Sequence, residues 1–541
     1  MGSSFFEFHI ASTALFAAKA GIANAANNAA NAATEGYSRQ YIKQTTASPL
    51  NSYSSVGQIG TGTVVYGNGQ IRDVYLDKKY WPQVSTLGEY SQKNSNLSFM
   101  ETCFSSLSSS SMLSNVSDFF DALSSLSFDS NSIEFKTSVV SNAESLITSL
   151  QLNASSLREQ QIDVNEEIYS LVERVNSIGN QISDINERIY QFELYGNECL
   201  ELRDQRALLI DELSQYVNVE VKEYSDNSGR ELGLQYAVLI NGQEFVNHNG
   251  YNTLECVRRT DEYVYELDEN GDQVLDEDGN PILLEIIVDD VNAPGMYDIC
   301  WSAGSEFNLT GASGEIKGLV DVRDGDGTTG EYKGIPYYLD KLNEFARTIA
   351  YAFNTGLRYS DDAELEGVIG HQDGYDSYGE TGVLFFTMTD SETGETISDP
   401  ELIDYENLNI FNLAINADLI SDPNKLASSS SDDITDASNN EVILGFLNLK
   451  DDGTVFSEGS FYQFANALAT TLAIDTDQAN SFTEYYISVT ETIQNQRLQV
   501  SGVSLNEEVS AMIQYQYLYQ AAAKLMNVIS EIYETTIKGL G

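Results

Sequence analysis

The sequence predicts an α+β multidomain chain. Paired, coiled-coil-like terminal α-helices lead into an elongated helical rod, and mainly-β outer segments are inserted into that rod. Three observations predict this. Heptad stripes of small and apolar residues occupy both ends of the chain, and a third, near-strict heptad run lies in its first half. The middle then switches to period-two alternation with hairpin turn formers.

Taken in order, the first stripe is Phe8, Ala11, Leu15, Ala18, Ile22, Ala25 and Ala29, spaced alternately three and four apart. The stretch from about Thr86 to Tyr216 reads as long helices. Its clearest part is Val164, Ile168, Leu171, Val175, Ile178, Ile182, Ile185, Ile189 and Phe192. The serine run Ser105–Ser111 is flanked by Phe104, Met112, Leu113, Phe119 and Phe120, and reads as a helix–helix connection within this layer. After Tyr216, Val217–Lys222 alternates, and strand-like runs follow at Tyr236–Ile240, Tyr263–Leu267 and Ile282–Val288. Two turns, Leu267–Asp272 and Leu275–Asn280, carry Asn-Gly and Asp-Gly. Helical signal returns from Ile335 to Asn354, then a strand- and turn-rich region from Gly356 to about Asn448, then helix from Gly459 to Ser501.

The last stripe is Ala511, Tyr515, Leu518, Ala522, Leu525, Ile529 and Ile532, opened by Ser504 and Glu507 in capping-box spacing. A helix from there to Lys538 is roughly 50 Å long at ~1.5 Å per residue. The simplest packing is nested. Residues 1–40 with 504–541 form a terminal helical core, and 41–225 with 312–360 and 455–503 form the rod. Residues 226–311 and 361–454 are the β-rich insertions. Leu15, Ile22, Leu518, Ala522, Leu525, Ile529 and Ile532 are the residues expected to bury the inner seam. Ala-rich seams bury little area, so the ends are expected to be mobile in a free monomer and ordered in an assembly.

Composition narrows the function. The chain has 82 Asp+Glu against 28 Lys+Arg, a net charge of −54. That excess argues against nucleic acid, whose phosphates need Lys and Arg, and against an anionic membrane surface. No stretch of 18 apolar residues exists to span a bilayer. The first basic residue is Lys19, so no secretory signal is legible, and the sequence reads as cytosolic or as exported without a cleaved peptide. Hydrophobic content of 42% is enough to build cores.

Catalytic and metal signatures are weak. Only His9, His248 and His371 are present, and Cys103, Cys199, Cys256 and Cys300 are widely spaced, which reads as isolated thiols. Gly325–Gly330 matches G-x-G-x-x-G, but Glu331–Pro336 delays any helix past the glycines, and Asp324, Asp326 and Glu331 repel phosphate. Asp268–Asp272 starts like a Ca²⁺ loop but has Gln273 where Gly is required and Gly279 where Glu is required. The reading is a non-enzyme with no cofactor and no metal.

Three groups of residues carry a resemblance. The block Asn27–Gln40 ends in Gly36, Tyr37, Ser38, Arg39 and Gln40. Ser501–Glu508, with Tyr515, Gln516, Tyr519, Ala521 and Ala522, closes the chain. Val116–Leu123, Leu202–Arg206 and Ile335–Asn354 lie between. Together they resemble bacterial flagellar axial proteins, and within them the FlgK family of hook-associated, hook–filament junction proteins. Ala29 departs from that pattern, where the family has Ile. The resemblance implies a structural role and an extracellular place in the flagellum, reached by type III export without a cleaved signal. It implies partners in copies of itself, the hook protein, a second junction protein and a FlgN-type export chaperone gripping the C-terminal helix. A hook protein, a flagellin, or a surface adhesin borrowing flagellar ends are the alternatives.

Overall fold

The computed structural model describes residues 6–540 apart from 52–57, 106–111, 195–197, 225–234, 248–249, 260–261, 266–282, 288–294, 382, 391–393 and 434–438. The serine run at 106–111 and both Asn-Gly/Asp-Gly turns at 267–280 therefore lie outside the described residues. Helix α1 (Phe6–Ala30) leads into an antiparallel ribbon of β1 (Gln40–Thr46) and β4 (Thr63–Gln70), with β2 (Leu50–Asn51) and β3 (Gln58–Ile59) paired between them. Four helices follow: α2 (Val74–Ser105), α3 (Met112–Phe128), α4 (Ile133–Glu193) and α5 (Leu200–Tyr216). With 61 residues, α4 is roughly 90 Å long and forms the spine of the rod.

Strands β5 (Val219–Tyr224), β6 (Gln235–Ile240), β7 (Gln243–Asn247) and β8 (Gly250–Tyr251) make a four-stranded antiparallel sheet in that order. Its β6–β7 turn is Asn241-Gly242, with φ of 49° and 81°, the left-handed pair that suits the twist of a two-residue hairpin. Next, β9 (Leu254–Arg258) pairs with β12 (Tyr297–Trp301), and β10 (Glu262–Tyr265) with β11 (Leu283–Ile287). Helices α6 (Glu315–Asp324) and α7 (Ile335–Thr355) return to the rod. The glycine motif becomes a bend and a short 3₁₀ turn between them, and α7 opens at Ile335, past the glycines. Among the described residues the segment that follows is mostly turns, with β13 (Phe386–Met388), β14 (Leu413–Ile415), α8 (Ala417–Ser421), a short 3₁₀ turn at Pro423–Lys425 and α9 (Glu441–Asn448). Helix α10 (Phe461–Ser501) runs back along α2, and α11 (Leu505–Leu540) along α1.

Two apolar cores hold the rod, and each takes in rod helices together with an inserted segment. The first joins α3, the N-terminal half of α4, α7, the segment around Phe385 and Phe386, α9 and the start of α10. It is aromatic: Phe119, Phe353, Phe385, Phe386 and Phe446 have ring centroids 4.8–6.2 Å apart in tilted and edge-to-face pairs. The second joins the later half of α4, α5, α6 and strands β5–β7, β9 and β12. Here the heptad run does its packing, with Val164, Ile168, Val175, Ile178 and Ile182 buried. Phe192, at the end of that run, is exposed. Along α10, Thr476, Thr483 and Thr490 recur every seventh residue. Each is buried with its hydroxyl donated to the carbonyl four back, at 2.8, 2.8 and 2.7 Å.

His371 sits in the first core, fully enclosed. Its Nδ1 lies 2.7 Å from the Val383 carbonyl oxygen, and Nε2 accepts from the Ala427 N–H at 3.0 Å, an arrangement that requires neutral imidazole. Burial pushes its pKa down to about 4, with Lys136⁺ lowering it further and the Val383 bond opposing. The unfolded side chain takes its proton near pH 6.5. The stabilisation is therefore complete above that pH and is lost as pH falls from about 6.5 to 4, by about 3 kcal/mol. Urea unfolding of the wild type and of His371→Asn across that range tests this. The wild type should lose that much more stability than the variant, and parallel profiles would remove His371 as the cause.

Candidate functional site at the root of the terminal helices

The two ends of the chain form one antiparallel helix pair. Asn28 of α1 meets Glu508 of α11, Gly21 meets Tyr515, and Glu7 accepts from the Tyr533 hydroxyl at 3.0 Å. Small residues permit the approach. On α1 the buried positions are Ala11, Ala17, Ala18, Gly21, Ala25 and Asn28. A Cβ on Gly21 would lie 2.5 Å from the Tyr515 ring, so that position tolerates no side chain at this spacing.

The pair is fastened to the rod by a polar knot. The Asn28 amide donates to the Gln40 carbonyl (2.9 Å) and to Glu508 Oε2 (3.1 Å), while its oxygen accepts from the Gln40 N–H (3.0 Å) and the Tyr37 hydroxyl (2.8 Å). Arg39 donates from Nε to Glu508 Oε1 at 2.6 Å and pairs with Glu507 at 3.3 Å. Its backbone N–H reaches the Ser501 carbonyl at 2.9 Å, at the end of α10. Ser38 binds Asp204 on α5 through both backbone N–H (2.9 Å) and hydroxyl (2.7 Å), and Gln40 Nε2 donates to Glu201 at 3.0 Å. Burial raises the Asp204 pKa, and the two Ser38 bonds oppose that shift. Burial, with Glu201, Asp204 and Glu508 nearby, pushes the Tyr37 phenol up to about 12, so it stays a hydrogen-bond donor.

Below the knot, Arg497 of α10 bridges Asp77 (2.8 Å) and Asp211 (2.7 Å) and lies over the Tyr80 ring. Arg72 binds Asp77 at 2.7 Å and approaches Asp204 at 3.5 Å. A cavity of about 570 Å³ opens beside this network, lined by Tyr37, Arg72, Tyr80 and Arg497 among others. The arrangement holds carboxylates and guanidiniums in mutual pairing. Its chemistry is that of a joint.

A family model described as the helical domain of the flagellar hook-associated protein FlgK matches residues 97–386, more than half of the chain. The chain belongs to the FlgK family. A second family model, described as the C-terminal part of the flagellar basal body rod proteins FlgEFG, matches residues 494–538. Flagellar hook-associated protein 1 of Bacillus subtilis is 28% identical over 100% of this chain and 99% of its own length. Its namesake in Escherichia coli is 24% identical over 97% of this chain and 98% of its own. The structure of the flagellar hook junction protein FlgK from Burkholderia pseudomallei is alike in fold. It has a TM-score of 0.53 at 12% identity, covering 78% of this chain and 100% of that one.

In this FlgK-family chain the motif residues Gly36, Tyr37, Arg39 and Gln40 all lie at the joint. Gly36 takes φ of 74°, where the chain turns against Leu208. The seam residues separate. Ala522 and Ile529 are buried and Leu15 and Ile22 half-buried, but Leu518, Leu525 and Ile532 are 57%, 47% and 57% exposed. Within the single chain, the neighbours of three of these seven positions, and of Ala29 in the first stripe, face the partner helix instead. On α1, Gly21 and Asn28 stand where Ile22 and Ala29 were expected. On α11, Met526 and Tyr533 turn inward in place of Leu525 and Ile532. The reason is steric and polar: glycine allows the closest approach, and Asn28 must reach Gln40 and Glu508. Arg72 and Arg497 lie outside every motif read from sequence, whereas Asn28 and Ser38 fall in Asn27–Gln40, Asp204 in Leu202–Arg206 and Glu508 in Ser501–Glu508, with no role legible there for any of them.

Two changes test the joint. Gly21→Ala should force α1 and α11 apart and speed amide exchange across 505–540, and adding Tyr515→Ala should restore much of the protection. Arg39→Ala leaves the buried Glu508 carboxylate with only Asn28, for a loss of about 1–3 kcal/mol in local stability. It should loosen α11 at least tenfold in exchange while the rod stays protected. Unchanged exchange in both variants would mean the knot does not hold the pair.

Proposed function

We infer that this protein is a structural subunit of the bacterial flagellum that joins the hook to the filament and is needed for the filament to be built. The observation that carries the reading is the family match through the interior, residues 97–386, together with relatives aligned along the whole chain. An adhesin that borrowed flagellar ends for export would be similar at its ends alone. Membership of the hook-associated family also argues against a hook protein or a flagellin.

The finer reading rests on the outward face of α11. Leu518, Leu525 and Ile532 form an apolar stripe facing away from α1, exposed along a helix whose packing is against α1. Apolar residues at heptad spacing on water are stable only when covered. We propose that neighbouring copies of this chain cover them, so that residues 1–40 with 504–541 become the inner core of a ring or helical layer. Hook protein on one side and a second junction protein on the other are the proposed axial neighbours. Before assembly, a FlgN-type export chaperone would grip the same stripe. The proposed role is binding, without a catalytic step or cofactor, at the outside of the cell after export through the flagellar channel.

The decisive experiment is deletion of the gene with imaging of the cells and an assay of flagellin in the medium. Bare hooks with flagellin monomers in the medium are expected, and intact filaments would overturn the reading. Leu525→Asp refines it. Because this side chain points away from α1, the variant should keep the helical content of the wild type yet fail to enter the flagellum. Normal filaments on that strain would remove the outward stripe as the assembly face.

A further inference from the structure

A second cavity, of about 440 Å³, lies between the start of α2, helix α5 and strands β5 and β6. Five of its fifteen lining residues are basic: Arg72, Lys78, Arg203, Arg206 and Lys222. In a chain with 28 basic residues among 541, that concentration singles the cavity out. Three lining residues are acids, Asp77, Glu220 and Glu223, so the formal sum is five minus three, or +2.

Most of these cations are already matched. Arg72 is held by Asp77 at 2.7 Å, Arg203 by Glu193 at 2.8 and 2.9 Å, and Lys222 by Glu220 at 3.4 Å. Arg206 is different. It is 7% exposed, its guanidinium lies 3.5 Å from the centroid of the Tyr236 ring, and its one hydrogen bond runs from Nη1 to Asn186 Oδ1 at 2.9 Å. Among the described residues no carboxylate pairs with it. Glu223, exposed on β5, acts on it only at longer range. The ring covers the guanidinium face, but of the cation's five N–H donors one finds an acceptor among the described residues. Its remaining donors are not among the atoms sealed from solvent without a partner, and a planar fork of donors matches the two oxygens of a carboxylate or phosphate. Arg206 also ends the Leu202–Arg206 stretch, whose Arg203 and Asp204 serve the Glu193 pair and the joint, while Arg206 serves neither.

We propose that this cavity is a binding site for a small oxyanion of phosphate or carboxylate chemistry, with the Arg206 guanidinium as its anchor and Lys78 and Lys222 at its rim. The oxyanion has two possible sources, a free anion from the medium or an acidic side chain of a neighbouring copy.

Isothermal titration of the full-length protein with inorganic phosphate, against chloride at matched ionic strength, tests the site. Saturable one-to-one binding is expected, weakened about tenfold or more in Arg206→Gln and unchanged in Arg174→Gln, an exposed arginine paired elsewhere. If Arg206→Gln fails to fold, the rim double variant Lys78→Gln with Lys222→Gln replaces it, with an expected loss of about threefold from two partly screened charges. The absence of saturable phosphate heat in the wild type, or equal affinity in wild type and cavity variants, overturns the proposal. Repeating the titration on assembled protein separates the sources. Binding that persists identifies a free anion, and binding lost on assembly identifies a neighbour's carboxylate; both require the oxyanion site.

Discussion

The placing of both termini depends on one buried carboxylate. Glu508 stands in the first turn of α11, 3% exposed, where a negative charge is favoured by the helix N-terminus. It is held by Asn28 from α1 and Arg39 from the following segment, joining residues 480 and 469 positions apart in sequence. Apart from the notch at Gly21 that receives the Tyr515 ring, the Ala-rich faces of the two helices do little to fix their register. A buried charge that must meet two particular donors cannot slide, so Glu508 sets the register that alanine leaves open. This is the role a single polar residue plays in a coiled-coil seam.

The same carboxylate begins a chain of pairings that runs from the terminal helices into the rod. Asn28 binds the Gln40 backbone, Ser38 binds Asp204, Asp204 faces Arg72, Arg72 and Arg497 share Asp77, and Arg497 closes on Asp211 and the Trp81 indole network. These groups find their partners within one chain, so the joint is complete before any neighbour arrives. The outward stripe of α11 is not. The joint is thus intrinsic to the chain and fixes direction, while the apolar stripe of α11 stays on the surface of the single chain.

Regular burial on one side is what made parts of this fold legible. The run from Val164 to Ile189 faces a sheet and two helices continuously, and its heptad appears in the sequence. Phe192 belongs to the pattern but passes the end of the covering layer. The terminal seam was half legible because α11 carries more apolar surface than α1 can cover. Sequence cannot tell which stripe meets the partner inside the chain, and neither glycine nor asparagine registers as apolar. The β1–β4 ribbon was not legible at all: Gln40–Thr46 and Thr63–Gln70 are rich in Gln, Thr and Gly, with little alternation. The motif Gly36–Gln40 could be seen, but its meaning could not, since Asp204 and Glu508 reach it only through the fold.

The charge of −54 takes on a meaning once it is located. Many of the few cations are spent inside the rod. Lys93 sits between Glu89 and Asp321, Arg323 among Asn165, the Tyr297 carbonyl and Asp324, and Arg497 between two aspartates. The outside carries acid in excess, which makes copies of the chain repel one another until salt screens them. The terminal faces are spared. Residues 8–34 contain one charged side chain, Lys19, and residues 509–530 contain one, Lys524. Apolar attraction therefore meets little electrostatic opposition along the terminal helices and much of it elsewhere. Such a distribution disfavours contact between copies through the outer segments more than along the helix pair, which the Glu508 knot already holds in place.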